Sequence, residues 1–357
     1  GASNVAVGHG TLFSNTTASY NTAVGYQALY DNTTGTGNVA VGTALANNTT
    51  ANDNTAVGNG ALDANTTGAS NVALGRLSLS SNTTASQNTA VGYESLKENT
   101  TGQRNTAVGW NALLNNTTAQ GNTAVGAYAG DSNTEGANNT FIGYDTAPAN
   151  TTGANNTSLG AGSLHANTTA SNNTAVGYQA GYSNTTGAAL TAIGHNALRS
   201  STTASNNVAV GQDSLYTLTT GTGNVVLGTA ASRGMTTGNY NVVVGQEALK
   251  SNTTASRNTA VGYRAGMDNT TGQYNTYMGY VAGQNATGGL NTFIGDATGY
   301  NQTSGDGNTY IGQQAGNNMT TGQKNTILGR YTGNQGGLDI RTSSNHIVLS
   351  DGDGNPR

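Results

Sequence analysis

The stretch NTAVGYQALYDNTTG, residues 21–35, decides the reading of this chain, because near-copies of it recur along almost the whole length. A β-preferring triplet, Thr22-Ala23-Val24, runs into Gly25; a Tyr-Gln-Ala-Leu segment follows, and Asn-Thr-Thr-Gly closes the phrase. The glycine returns at Gly42, Gly58, Gly75, Gly92, Gly109 and onward to Gly329, every 17 residues except for two 16-residue steps, Gly42 to Gly58 and Gly279 to Gly295. Twenty copies at so short a period mean that each is one turn of a stacked structure, unable to bury its apolar face alone.

Numbering each phrase from its Asn, position 4 is always Val, Leu, Ile or Met and position 2 is Thr or Val. Two-residue spacing puts them on one face of a short strand. Position 3 points the other way and is mostly Ala, enlarging at Phe141, Val226, Val243, Tyr277, Phe293, Tyr310 and Ile327. With all three positions small or apolar, both faces of the strand are expected to be covered. The position-5 glycine ends the strand, at a backbone angle or a chain approach that a Cβ forbids. A second short strand is expected over positions 8 and 9, as in Ala28 with Leu29, and Asn-Thr-Thr supplies the closing turn. The predicted fold is all-β: a parallel β-solenoid, or β-roll, of about twenty coils over residues 1–333, followed by a non-repeat β segment over 334–357. Rungs spaced by about 4.8 Å align like positions as columns. The structural columns are the asparagines, Asn21, Asn88, Asn105, Asn173 and Asn258 among them, bonded amide to amide, and the glycines, such as Gly25, Gly92, Gly109, Gly177 and Gly262. Leu190 alone interrupts the Asn column.

Composition narrows the function. Charged residues make up 8% of the chain and apolar residues 34%, thin material for a globular core. The payload of a single thin coil barely offsets its ordering entropy, which favours a homotrimer sharing a central core. A net charge of −4 without a basic cluster argues against nucleic acid as a partner. No apolar run approaches the length of a membrane span. The absence of cysteine removes disulfides and thiolate metal sites.

The N-[TV]-A-[VIL]-G alternation resembles the head repeats of trimeric autotransporter adhesins, which form parallel β-rolls as trimers. The longer phrase, at Asn21 to Gly35 and Asn173 to Gly187, looks like bacteriophage tail-fibre proteins. The closing LDIRTSSNHIVLSDGDGNPR, Leu338 to Arg357, is similar to the segment that precedes an intramolecular chaperone domain in phage tail fibres. These resemblances imply an extracellular, non-enzymatic structural or adhesive shaft, on a virion tail fibre or cell-surface appendage, presenting a host-binding tip. The alternatives are a bacterial trimeric adhesin, an extracellular filament joined end to end through open terminal rungs, and an ice-binding protein.

Candidate chemistry is sparse, and no catalytic, cofactor or metal site is expected. His9 and His195 share position 6 but lie eleven rungs apart, and His165 and His346 sit elsewhere. The carboxylates are scattered through turns, away from the paired geometry of a glycosidase. The Ser350 to Asn355 stretch, SDGDGN, reads as a turn, since it lacks the ligand spacing of a calcium loop. Position 6 offers one functional stripe: Tyr26, Tyr93, Trp110, Tyr144, Tyr178, Tyr263 and Tyr280. Tyr93 with Trp110, and Tyr263 with Tyr280, fall on adjacent rungs, where they form a platform for a cell-surface glycan or a protein receptor. The Asn-Thr-Thr stretches match glycosylation sequons at Asn15, Asn32, Asn65, Asn82, Asn99, Asn167 and Asn252, read as by-products of turn chemistry.

Overall fold

The computed structural model describes all 357 residues, and the chain is an all-β parallel β-solenoid without helices. It divides into two compact units, Gly1–Asn173 and Thr174–Arg357. Each rung contributes one three-residue strand at positions 2–4, from Val5–Val7 to Thr157–Leu159 in the first unit and from Thr174–Val176 to Ile347–Leu349 in the second. Neighbouring strands pair parallel and in register, so Thr89↔Thr106, Ala90↔Ala107 and Val91↔Val108 stand one above another. The 16-residue steps leave this register intact: Val39 pairs with Thr55, and Thr276 with Thr292.

The second strand expected at positions 8 and 9 does not form. Ala28 and Leu29 are both fully buried, which successive residues of an extended strand cannot be. The chain instead turns both inward by taking left-handed backbone at positions 7 and 9, with φ +51° at Gln27 and at Leu29. Hydrogen bonds to neighbouring rungs continue around the perimeter without the strand: Gln27 N donates to His9 O, and Asp31 N to Ala46 O.

Position 3 is the core residue. Ala23, Ala90 and Ala107 are completely buried, each facing the position-8 alanines and position-9 leucines across the coil. Where position 3 is aromatic, position 9 of the preceding rung loses its side chain. A Cβ on Gly130 would stand 2.5 Å from the Phe141 ring, and one on Gly266 would overlap the Tyr277 ring. Phe293 presses in the same way on Gly283 and Gly299, and Tyr310 on Gly316. The Tyr277, Phe293 and Tyr310 rings therefore thicken the core of the second unit, as their position implies, Tyr277 tilted against Phe293 at 5.7 Å and Phe293 stacked on Tyr310 at 4.8 Å.

Positions 2 and 4 are not covered. Only one face of the strand meets the interior of the coil, so the Val, Ile and Leu side chains of position 4 point outward, with Val57, Val125 and Ile193 each 37% exposed. A single chain encloses one interior, so the expected cover on the outer face is not supplied by the chain itself.

The glycine column has both properties expected of it. Gly25, Gly92, Gly109, Gly177 and Gly262 have φ between +128° and +141°. A Cβ at any of these would press into the glycine of the next rung; at Gly25 it would lie 2.6 Å from the Gly42 carbonyl oxygen.

The position-1 asparagine column bonds mainly through the backbone, and amide to amide only in part: in the second unit Asn224 Nδ2 donates to Asn207 Oδ1 and Asn241 Nδ2 to Asn224 Oδ1, both at 3.0 Å. At position 1 the Oδ1 typically accepts from the backbone N–H of the next Asn, and the Nδ2 donates to the carbonyl at position 15 of the rung, or at position 14 where the rung has 16 residues. Asn21 receives Asn38 N at 2.9 Å and donates to Gly35 O at 2.9 Å. Asn88 receives Asn105 N at 2.9 Å, Asn156 receives Asn173 N at 3.0 Å, and Asn258 receives Asn275 N at 2.8 Å. A more continuous amide-to-amide ladder runs down position 12 of the first unit, among the sequon asparagines, where Asn65, Asn82 and Asn99 each donate to the asparagine before them at 2.9–3.0 Å. Asn32, Asn65, Asn82, Asn99, Asn167 and Asn252 are fully buried. In the second unit this column is interrupted by Ser201, Leu218, Met235, Ala286, Gln302 and Met319.

The C-terminal segment continues the second unit. Ile347↔Thr326, Val348↔Ile327 and Leu349↔Leu328 pair in register, with His346 N donating to Asn325 Oδ1 at 2.9 Å in place of an asparagine. The last strand is not a bare edge, since Arg357 N donates to Leu349 O at 2.7 Å.

Candidate functional site

The residue after the position-5 glycine sits on a corner of the coil, where the left-handed turn throws its side chain into solvent. The structure sorts the position-6 aromatics into separate groups. Tyr26 stacks on His9 at 5.6 Å, Tyr178 on His195 at 5.4 Å, and Tyr263 on Tyr280 at 5.3 Å. The fourth group is larger. Tyr93 meets Trp110 edge-on at 6.0 Å, Trp110 leans on Tyr128 at 5.9 Å, and Tyr128 meets Tyr144 edge-on at 6.3 Å. Four rings on four successive rungs thus make one ledge in the first unit.

Tyr128 is the member that the sequence pattern missed. It stands at position 7, beside Ala127 at position 6, so a search down one column passes it by. Its left-handed backbone, φ +58°, swings the ring back into line. The rings remain open, with Tyr93, Trp110 and Tyr144 exposed by 40%, 54% and 62%. Tyr93 and Trp110 line a shallow hollow of about 310 Å³. Arg76 covers the other side of Tyr93, its guanidinium 5.5 Å from the ring centre and its Nη1 donating to Tyr93 Oη at 2.8 Å. That contact fixes the tilt of the ring.

Charges around the ledge are mainly carboxylates. Glu94 follows Tyr93 and pairs with Lys97 at 3.7 Å; Asp145 follows Tyr144 and lies 3.2 Å from His165. Half-burial raises the Asp131 carboxyl above its ordinary value, and the nearby Asp145 charge adds to the rise. Asn111, next to Trp110, keeps a buried side-chain oxygen without a hydrogen-bond partner.

No protein-family model matches this chain, and no curated protein matches it in sequence. The functional reading therefore rests on geometry.

A second surface column went unread in the sequence. At position 10 of the second unit, Tyr182, Arg199, Tyr216 and Arg233 alternate, with Arg199 5.4 Å from the Tyr182 ring and 5.7 Å from Tyr216, and Arg233 5.1 Å from Tyr216. Arg233 also reaches Asp213 at 3.7 Å, and Glu247 binds both Lys250 and Arg264 at 2.7 and 2.6 Å. The hydrogen bond from Lys250, then that from Arg264, holds the Glu247 carboxyl below its usual value. Alternating cation and ring on neighbouring rungs satisfy one another as a stiffening seam. No group of three His, Cys, Asp or Glu side chains is placed to hold a metal ion. The SDGDGN stretch closes on itself: Asp351 Oδ1 accepts from Asp353 N at 3.1 Å and Asn355 N at 2.9 Å, while Oδ2 takes the Arg357 guanidinium at 2.6 Å.

Proposed function

We propose that this chain is the non-enzymatic shaft of a homotrimeric fibre, a phage tail fibre or a similar extracellular appendage, that spaces or presents a host-binding surface. The observation that carries the reading is the outward apolar stripe of positions 2 and 4. Taking position 4 at about a third exposed and position 2 somewhat less, each rung offers about 90 Å² of Val, Ile, Leu and Thr surface. Ten rungs then give about 900 Å² per unit, against the roughly 800 Å² that each partner contributes to a stable interface. A monomer would leave this stripe in water along every rung, whereas copies packed side by side would bury it. The stacking supplies the mechanics: within each unit the rungs are bonded to their neighbours around the perimeter, which stiffens the unit, and repeat number sets its reach.

The deciding measurement is the mass in solution, by light scattering and sedimentation, of the purified chain and of Val108→Asp/Val125→Asp. The reading requires about three times the chain mass of 35.7 kDa for the unaltered protein and a smaller species for the variant. A stable, soluble single chain would overturn it. The bacterial adhesin shares the trimer and differs in what anchors it. For the ice-binding alternative, the position-13 threonine hydroxyls are already engaged, as Thr66 Oγ1 donates to Thr83 O at 3.1 Å. The outward Thr-x-Val ranks keep that alternative measurable by thermal hysteresis.

A further inference from the structure

We propose that the Tyr93–Trp110–Tyr128–Tyr144 ledge is a binding site for an uncharged glycan whose pyranose rings lie along the stacking direction. The inference rests on the adhesive part of the reading above and adds the class of ligand and its orientation.

Three features select this occupant. First, the rings are displayed rather than used: Tyr93, Trp110 and Tyr144 sit on the outer corner with about half of their surface free and Tyr128 is part-buried between them, while each other aromatic group at position 6 is a single pair. An aromatic face carries negative charge density, and the C–H groups of a pyranose face are its complement. Second, size excludes a large partner. Side chains of this kind bury about 150–250 Å² each. At the exposures seen here, the four rings offer about 300–400 Å², half of what one side of a protein interface needs. The 310 Å³ hollow between Tyr93 and Trp110 instead lies at the lower end of small-ligand sites. Third, the rim chooses among sugars. Glu94 and Glu98, both 3.7 Å from Lys97, together with Asp131 and Asp145, outnumber Arg76 and Lys97, so carboxylated or sulfated chains are repelled while carboxylate oxygens accept from neutral hydroxyls. Four rungs span about 14 Å, enough for two or three sugar rings in line.

The chain carries its own reporter, since Trp110 is its one tryptophan. Its emission, excited at the red edge where tyrosine does not absorb, is followed while cellohexaose, chitohexaose and an anionic oligogalacturonate are added separately to the full chain. A saturable change with at least one neutral oligomer, with a Kd of about 0.1–1 mM, is expected. Tyr93→Ala and Tyr144→Ala, which keep the reporter, should each weaken binding by about tenfold. Tyr240→Ala, an exposed ring outside the position-6 column, should leave it unchanged. Far-UV circular dichroism and the melting curve establish that each variant is folded. No saturable response to any neutral oligomer, or a response to the anionic one alone, would overturn the assignment. Equal binding by Tyr93→Ala and Tyr144→Ala would do so as well. The solution mass is read on the same sample, so a trimer that ignores sugars refutes the site and leaves the shaft standing.

Discussion

Asn105 and Asn116 offer a quantitative test of what holds one rung on the next. Both donate from Nδ2 to the same acceptor, the carbonyl oxygen of Ala119, at 2.8 and 3.1 Å. Asn105 also accepts the Asn122 backbone N–H at 2.9 Å, and Asn116 donates to Asn99 Oδ1 at 2.8 Å. Replacing Asn105 with Ala orphans the Asn122 N–H, a buried donor worth about 1–3 kcal/mol, but leaves Ala119 O bonded to Asn116. Asn116→Ala strips the Asn99 side-chain oxygen of that donor at a similar cost and leaves Ala119 O bonded to Asn105. Only the double variant deprives the Ala119 carbonyl of both. The loss in the double variant should therefore exceed the sum of the two single losses by about 1–2 kcal/mol, a coupling that a double-mutant cycle isolates. Guanidinium unfolding, followed by far-UV circular dichroism on the four proteins at one protein concentration, measures it. Additivity within about 0.5 kcal/mol would refute the shared-acceptor account, and so would single losses smaller than that.

Three further outcomes follow from the interior. The Tyr277 hydroxyl is buried without a partner, and burial drives its pKa far up; Tyr310 donates to Gln302 Oε1 at 3.2 Å. Tyr277→Phe should thus hold or raise stability, whereas Tyr310→Phe should lower it by about 1 kcal/mol, and calorimetry showing the reverse order would contradict the assignment. Gly266→Leu should destabilise by at least about 1–3 kcal/mol through overlap with the Tyr277 ring. Adding Tyr277→Ala restores the alanine-leucine pairing of the first unit and should recover part of that loss, and a double variant as unstable as the sum of the two would show that the sizes are not coupled. Because desolvation raises the folded-state pKa of Asp131, ionising it costs more folded than unfolded, so its contribution to stability falls as pH climbs from the ordinary carboxyl value through the higher folded one. Asp131→Asn should flatten the pH dependence of melting across that window and raise stability at neutral pH, which melts over a pH series would expose.

The period and the β-preferring triplet were enough to read the solenoid, its registration and the glycine column from the sequence. What the pattern could not yield was which way each residue faces. Two consecutive apolar residues, Ala28 and Leu29, suggested a strand, and only the left-handed backbone at Gln27 and Leu29 lets both point inward. Composition likewise did not distinguish two asparagine columns that share a side chain but bond differently, position 1 accepting the backbone N–H of the next rung and position 12 of the first unit accepting the amide of the next asparagine. The pairing of Phe141 with Gly130 was visible as letters but not as a contact, since the two lie eleven residues apart on successive rungs. At the ledge, a fixed position was the wrong ruler. Tyr128 reaches Trp110 from the neighbouring column, and Arg76 reaches Tyr93 across a rung.

The buried amide ladder at position 12 bears on where this protein can be made. Asn32, Asn65, Asn82 and Asn99 each begin an Asn-Thr-Thr triplet that an oligosaccharyltransferase would recognise on an unfolded chain, yet in the finished coil their amides have no path to solvent. A sugar added during translocation would have to occupy the interior between rungs, so modification and stacking exclude each other. Production through a eukaryotic secretory route should therefore yield trapped, unstacked chains, and a cytoplasmic or bacterial host avoids the conflict.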